Sequence, residues 1–163
     1  MTAEPCKFML RPIAPEDSRA IAEMAAALSA HEGMPPPLVV PQDLAEELAR
    51  PDCLLLGYVA LAGSDYLGYA LHTMTFDTEA GRRGAFLCDL YVSASARRQG
   101  IAQALIAAVV QDTNRRGGTW LSWGALANNT VGRAFYATVG EVEAGVELWS
   151  LRHDLFKRFA GTA

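Results

Sequence analysis

The sequence predicts an α/β domain (α+β in the strict sense): a mixed, mostly antiparallel sheet with helices on both faces. Two apolar runs with strand character, CLLLGYVALA and YLGYALHTMTF, are separated by the turn residues GSD and read as an antiparallel hairpin. A third run, AFLCDLYV, leads into a long helical stretch and then another strand. A strand–helix–strand unit added to antiparallel strands makes the sheet mixed, with helices covering it.

The elements follow in order. Residues 6–12, CKFMLRP, form a short first strand ending at Pro12. Pro15, Glu16 and Asp17 open a helix, because proline is tolerated in a first turn and acids there favour the positive end of the dipole. Ile21, Met24, Ala25 and Leu28 recur at helical spacing and carry that helix to about Ala30. The segment 31–40, HEGMPPPLVV, is a loop, since consecutive prolines withhold backbone donors. A second helix runs from Pro41 to Arg50 and stops at Pro51. After the hairpin come a polar loop, TEAGRRG, the strand AFLCDLYV, and a helix from about Arg98 to Arg116, closed by Gly117 and Gly118. TWLSWGA (119–125) is a strand, NNTVGRAFYATVG (128–140) a helix with an asparagine cap, and GVELWSLRHDL (145–155) a final strand. Residues 1–163 are expected to form a single domain, as their number allows a sizeable core without staples.

Composition narrows the function classes. No apolar run approaches the ~20 residues of a membrane span, and the N-terminal stretch lacks the apolar core of a secretory signal, so a cytoplasmic location and no membrane partner are expected. The cysteines Cys6, Cys53 and Cys88 are odd in number and lack metal-ligand spacing, which argues against a disulfide framework or a zinc site. The net charge is −4 and no basic stripe is present, a poor endowment for binding nucleic acid.

The turn RRQGIA, residues 97–102, carries the strongest chemical signal. A helix start leaves about four N–H groups without partners and bears roughly half a positive charge. Gly100 lets a ligand approach the backbone, Ala102 keeps that approach clear, and Arg97 and Arg98 add forked donors suited to phosphate oxygens. Together these favour a diphosphate. A Walker loop is excluded because Gly100 is followed by Ile101, and a dinucleotide fingerprint because the turn has one glycine.

The pattern Arg97-Arg98-Gln99-Gly100-Ile101-Ala102, preceded by the strand LYV and followed by a Leu-containing helix, resembles the first signature of the GNAT superfamily of acetyl-CoA-dependent N-acetyltransferases. Residues 128–140 resemble the second, NxxAxxFYxxxG, through Asn129, Phe135, Tyr136 and Gly140, with Gly132 in place of alanine. The opening LRPIAPEDSRAIAEM and the element order resemble the family as well, so the likeness spans nearly the whole chain. It implies that acetyl-CoA is the cosubstrate and that residues 97–102 cradle its diphosphate. It further implies that Leu90, Tyr91 and Val92 bind the pantetheine arm through backbone bonds at a splay between strands, with Asn129 near that arm. Tyr136 is then the general acid for the departing thiolate, and the acceptor is a primary amine of a small molecule, such as a polyamine or another cationic amine.

The base is less determined. Asp89 lies in an apolar run where an acid is costly unless paired or used. Strict alternation puts Asp89 on the face of Leu87 and Tyr91, opposite Cys88 and Leu90, unless a bulge intervenes. The segment LCDLYV resembles the LEDLYV of polyamine acetyltransferases, except that Cys88 stands where they have glutamate. Asp89 could act through water, hold the substrate ammonium, or form a structural ion pair. Cys88 reads as a small buried hydrophobe rather than a nucleophile. His31, His72 and His153 show no metal spacing, Trp120, Trp123 and Trp149 read as core or pocket wall, and Glu32 lies in the loop that lines the acceptor site in this family. Two alternatives stay open: a non-catalytic coenzyme A-binding module, and acetylation of a protein N-terminus or lysine. Homodimers are frequent among such proteins, and the sequence itself is neutral on that point.

Overall fold

A computed structural model of the chain describes residues 7–152 and 154–161. The chain divides into two compact units, Met1–Asn129 and Thr130–Ala163. The first unit holds a five-stranded sheet made by β1 (Met9–Pro12), β2 (Leu56–Ala62), β3 (Asp65–Asp77), β4 (Arg82–Val92) and β5 (Gly118–Trp123), in the spatial order in which they occur along the chain. Strands β1 to β4 are antiparallel neighbours, and β4 and β5 are parallel. Helices α1 (Ser18–His31), α2 (Pro41–Leu48) and α3 (Ile101–Arg115) supply the covering layers. The expected mixed, mostly antiparallel sheet with helices on both faces is what forms.

Period-two alternation sorts the strand residues onto two faces, each of which must be buried. Val59, Leu61, Tyr69 and Leu71 meet Ile21 and Met24 of α1 and Leu44 of α2. Their neighbours Ala60, Ala70 and Leu87 meet Ile101, Leu105 and Val109 of α3. Small residues at 60 and 70 let α3 approach the sheet closely. The pairing of β4 with β5 is equally tight, since a side chain at Gly84 would collide with the ring of Trp120.

Element bounds shift by a few residues. The first helix begins as a 3-10 turn at Pro15–Asp17 before α1, and the β2–β3 turn passes through Gly63 at φ +59°. The long helix was expected from about Arg98; α3 starts only at Ile101, because Arg98 adopts φ +61° and Gly100 φ +79°, neither of which is helical.

The second unit contains α4 (Thr130–Tyr136) and α5 (Asp154–Ala160). The final strand expected over 145–155 is not observed: residues 146–152 are irregular, residues 154 and 155 open α5, and His153 lies outside the described residues. Alternation in VELWSL shows a capacity for strand formation, but a strand exists only where a neighbour satisfies its backbone. Trp149, expected in a core or pocket wall, is 84% exposed.

Candidate active site

Three carboxylates are drawn into the first unit, and their surroundings differ. Asp17 is wholly buried and accepts from Arg11 at 2.7 Å through each oxygen, from the Tyr66 hydroxyl at 2.5 Å and from the Ala14 amide at 2.8 Å. Burial pushes its pKa up, but these donors outweigh burial and leave it below the usual carboxylate range. Asp112 on α3 is matched by Arg115 at 3.1 Å and Arg116 at 2.8 Å, and lies 3.3 Å from Nε2 of the buried His72. Asp89 on β4 has no cationic partner among the described residues. Among the described residues its hydrogen-bond partner is the Tyr69 hydroxyl, 3.1 Å from Oδ2. Burial pushes the Asp89 carboxyl up, offset only in part by that bond.

The placement of Asp89 follows from a β-bulge. Leu71 pairs with Asp89 while the next residue of β3, His72, pairs with Leu87, so Cys88 is the extra residue of β4. One inserted residue reverses the parity of everything beyond it. Leu87 packs with Leu90 on the α3 side, whereas Asp89 shares the α1/α2 side with Tyr91. The expected grouping of Asp89 with Leu87 is therefore wrong, and the bulge is the reason. Cys88 was expected to be buried; as the bulged residue it is exposed, with its thiol 3.8 Å from the Phe86 carbonyl.

Beside the bulge the sheet opens. The ladder between β4 and β5 ends at Leu87 and Trp123, yet β4 continues to Val92. On that side the backbone of residues 88–92 has no strand partner among the described residues. Leu90 and Val92 direct their side chains to the α3 core and Tyr91 to the opposite core, so what they offer a ligand at this opening is backbone.

The turn before α3 lies at the end of the same strand. Gly100 is the N-cap of α3; no side chain caps the helix, and the direction in which a Cβ would point from Gly100 is open space. The φ angles of residues 98, 99 and 100 alternate in sign, the arrangement that curls successive N–H groups into an anion-binding nest. Arg98 is exposed at φ +61°, a conformation that costs a non-glycine residue about 1–2 kcal/mol. Strain of this kind concentrates where a ligand is held. Arg97 donates from Nε to the Val92 carbonyl at 3.1 Å, which ties the turn to the strand end. The Gln99 amide nitrogen lies 3.4 Å from the Ser95 carbonyl. Ile101 is buried and contributes only backbone, while Ala102 is half-buried. The turn thus fits a diphosphate by its own geometry.

The sequence profile of the Acetyltransferase (GNAT) family matches residues 21–140. The chain belongs to that family. The GNAT match crosses the boundary between the two units. No curated protein matches the sequence. Among solved structures, an integron cassette protein from the mobile metagenome of V. cholerae superposes with a TM-score of 0.77 at 20% identity, covering 94% of this chain and 97% of its own. An aminoglycoside acetyltransferase from an uncultured soil metagenomic sample, in complex with sisomicin, gives 0.72 at 18% identity, with coverage of 89% and 97%. A predicted acetyltransferase from Clostridium acetobutylicum with acetyl-CoA gives 0.72 at 19%, with coverage of 91% and 99%. At these identities the likeness is one of fold, and the fold is that of a GNAT acyltransferase. The family's cosubstrate is acetyl-CoA.

The residues singled out by the GNAT signatures fall in two places. Asp89, Leu90–Val92, the turn 97–102 and Asn129 belong to the first unit, and Tyr136 to the second. Tyr136 ends α4, where its ring lies 5.6 Å from that of Phe135 and its carbonyl accepts from Val139 and Gly140. Asn129 donates from Nδ2 to Glu32 at 3.2 Å, which joins the loop after β5 to the end of α1. Tyr69 was missed. Its signal in the sequence was weak, a tyrosine between Gly68 and Ala70 in an apolar strand, and its partner Asp89 is twenty residues away. Among the described residues no helix is long and apolar enough to cross a membrane.

Proposed function

We propose that the protein transfers an acetyl group from acetyl-CoA directly to a primary amine of a small cationic molecule, the whole chain acting as one catalytic domain. A single observation carries this reading: Asp89 is a partly buried carboxylate without a cationic partner among the described residues, placed where β4 parts from β5. An uncompensated carboxylate is unfavourable in such a place, and an ammonium group is its natural counterpart.

Bound acetyl-CoA supplies a thioester carbonyl as electrophile. The turn 97–102 holds the diphosphate, and backbone groups of residues 90–92 on the side that β5 leaves uncovered align the arm and polarise the carbonyl. Asp89 attracts the acceptor ammonium and takes its proton, directly or through water; alkylammonium groups have a pKa near 10.4 and must be deprotonated before attack. The nitrogen then bonds to the acetyl carbon, the carbon–sulfur bond breaks, and Tyr136 delivers a proton to the departing thiolate; the second proton of the nitrogen passes to water, and Tyr136 regains its own proton from water. A phenol is protonated at neutral pH and suited to that role. Proteins of the same fold act on both kinds of acceptor, one being an aminoglycoside acetyltransferase and another a ribosomal-protein-alanine N-acetyltransferase, so the unpaired Asp89 and not the fold carries the preference for a small cationic amine.

A panel of diamines, aminoglycosides and a peptide with a free N-terminus, assayed by release of coenzyme A thiol, tests the reading. Thiol release with a small amine supports it; release with the peptide alone would move the acceptor to proteins. Tight binding of coenzyme A with no release would leave a binding module. Tyr136→Phe is expected to lower kcat about 10²-fold with the calorimetric Kd for coenzyme A unchanged. Gly100→Val forces a branched side chain to φ +79° and is expected to weaken coenzyme A binding at least tenfold, measured by the same calorimetry.

A further inference from the structure

We propose that Tyr69 is a positioning residue for the reaction: its hydroxyl holds one oxygen of Asp89 so that the other is presented to the acceptor nitrogen. This rests on the acetyltransferase reading above and extends it to a residue outside the family signatures. Tyr69 is wholly buried, packed in the core with Val59, Leu71 and Ile21, and its ring lies 6.4 Å from that of Tyr91 at a 45° tilt. Its hydroxyl therefore has little freedom. The carboxyl torsion of an aspartate is intrinsically broad, and the backbone pairing of Asp89 with Leu71 does not fix it. The 3.1 Å bond from Tyr69 to Oδ2 is the restraint that remains, and Oδ1 has no protein partner among the described residues. The other titratable groups around the pair are Tyr91 and Cys88 on β4 and Glu32 at the end of α1, none of them cationic. Burial first, then the neighbouring Asp89, holds the phenol far above its usual range, so Tyr69 stays a donor throughout the pH range of the enzyme.

A donor to the charged carboxylate favours ionisation, so removing it must move the titration of Asp89 upward. The protein is labelled with 13C at aspartate carboxyl carbons and titrated by NMR, the Asp89 signal being assigned by its absence in Asp89→Asn. In Tyr69→Phe the Asp89 midpoint is expected to rise by about one pH unit. The acid limb of kcat/KM is expected to follow it by the same interval, with the heat of coenzyme A binding unchanged. A midpoint and acid limb identical to the unsubstituted protein would overturn the assignment. If Tyr69→Phe does not fold, a ring-fluorinated tyrosine placed at 69 alone makes a stronger donor of nearly the same shape. The midpoint must then fall, and an unmoved midpoint overturns the proposal equally. The carboxyl titration needs no acceptor. Absence of thiol release with every amine would therefore defeat the acetyltransferase reading while leaving the positioning role separately decided.

Discussion

Asp89→Asn is expected to lower kcat/KM by about 10³-fold, within the 10²–10⁴ range typical of losing a general base. Asparagine keeps the shape of aspartate and still offers an oxygen to the Tyr69 hydroxyl, so the loss isolates charge and basicity. Coenzyme A affinity by calorimetry should not change, since the expected diphosphate contacts come from residues 97–102 and not from the Asp89 side chain. Thermal stability supplies the second readout. Burial raises the folded-state pKa of Asp89 above its unfolded value, so ionisation opposes folding. The stabilising contribution of such a group is complete below the unfolded pKa and is lost as pH rises through the folded one. At neutral pH the asparagine variant should therefore melt no lower than the parent, and its acid limb in kcat/KM should disappear. A variant that keeps activity, or one that loses stability along with it, would return Asp89 to a structural role.

Asp17→Ala is the counterpart with the opposite signature. This carboxylate is wholly buried and fully matched by Arg11, Tyr66 and the Ala14 amide. Removing it leaves a guanidinium, a hydroxyl and an amide without their acceptor, which costs about 3 kcal/mol, the lower end of the range for a broken buried pair because Arg11 is partly solvated. For a chain of this size that corresponds to a fall in Tm of roughly 10 °C. Asp17 is held below the usual carboxylate range, so its contribution is complete above its unfolded pKa of about 3.9 and is lost as pH falls through the lower folded value. The difference in Tm between parent and variant should accordingly be large at pH 7 and shrink only in strong acid. Calorimetric melts at several pH values measure it directly, and a flat, small difference would show that the pair is not an anchor of the α1 end. Two acids drawn into one unit thus differ by a measurable sign. The paired one is expected to support stability, and the unpaired one to oppose it.

The order of strands and helices in the first unit, the loop of prolines, the hairpin turn at Gly63 and the glycine turn before α3 were all legible in the sequence. Each is a local property: alternation, helical periodicity, the missing donors of proline, and a glycine where φ must be positive. Tertiary structure decided the rest. Asp17 read as an acid favouring a helix start, and only folding brings Arg11 and Tyr66 to it. The face of Asp89 depends on Cys88 being an extra residue relative to β3, a matter of register between strands that no single strand encodes. The bond between Tyr69 and Asp89 depends on a hydroxyl from a neighbouring strand reaching a carboxylate twenty positions later. The strand expected over 145–155 had the right alternation but, over its irregular residues 146–152, no strand partner among the described residues, and pairing is a relation between segments. The sequence by itself determined which elements form in the first unit and where a positive-φ turn opens the long helix. Which acid is left without a counter-charge was decided by the fold, because charge compensation is a property of neighbours in space.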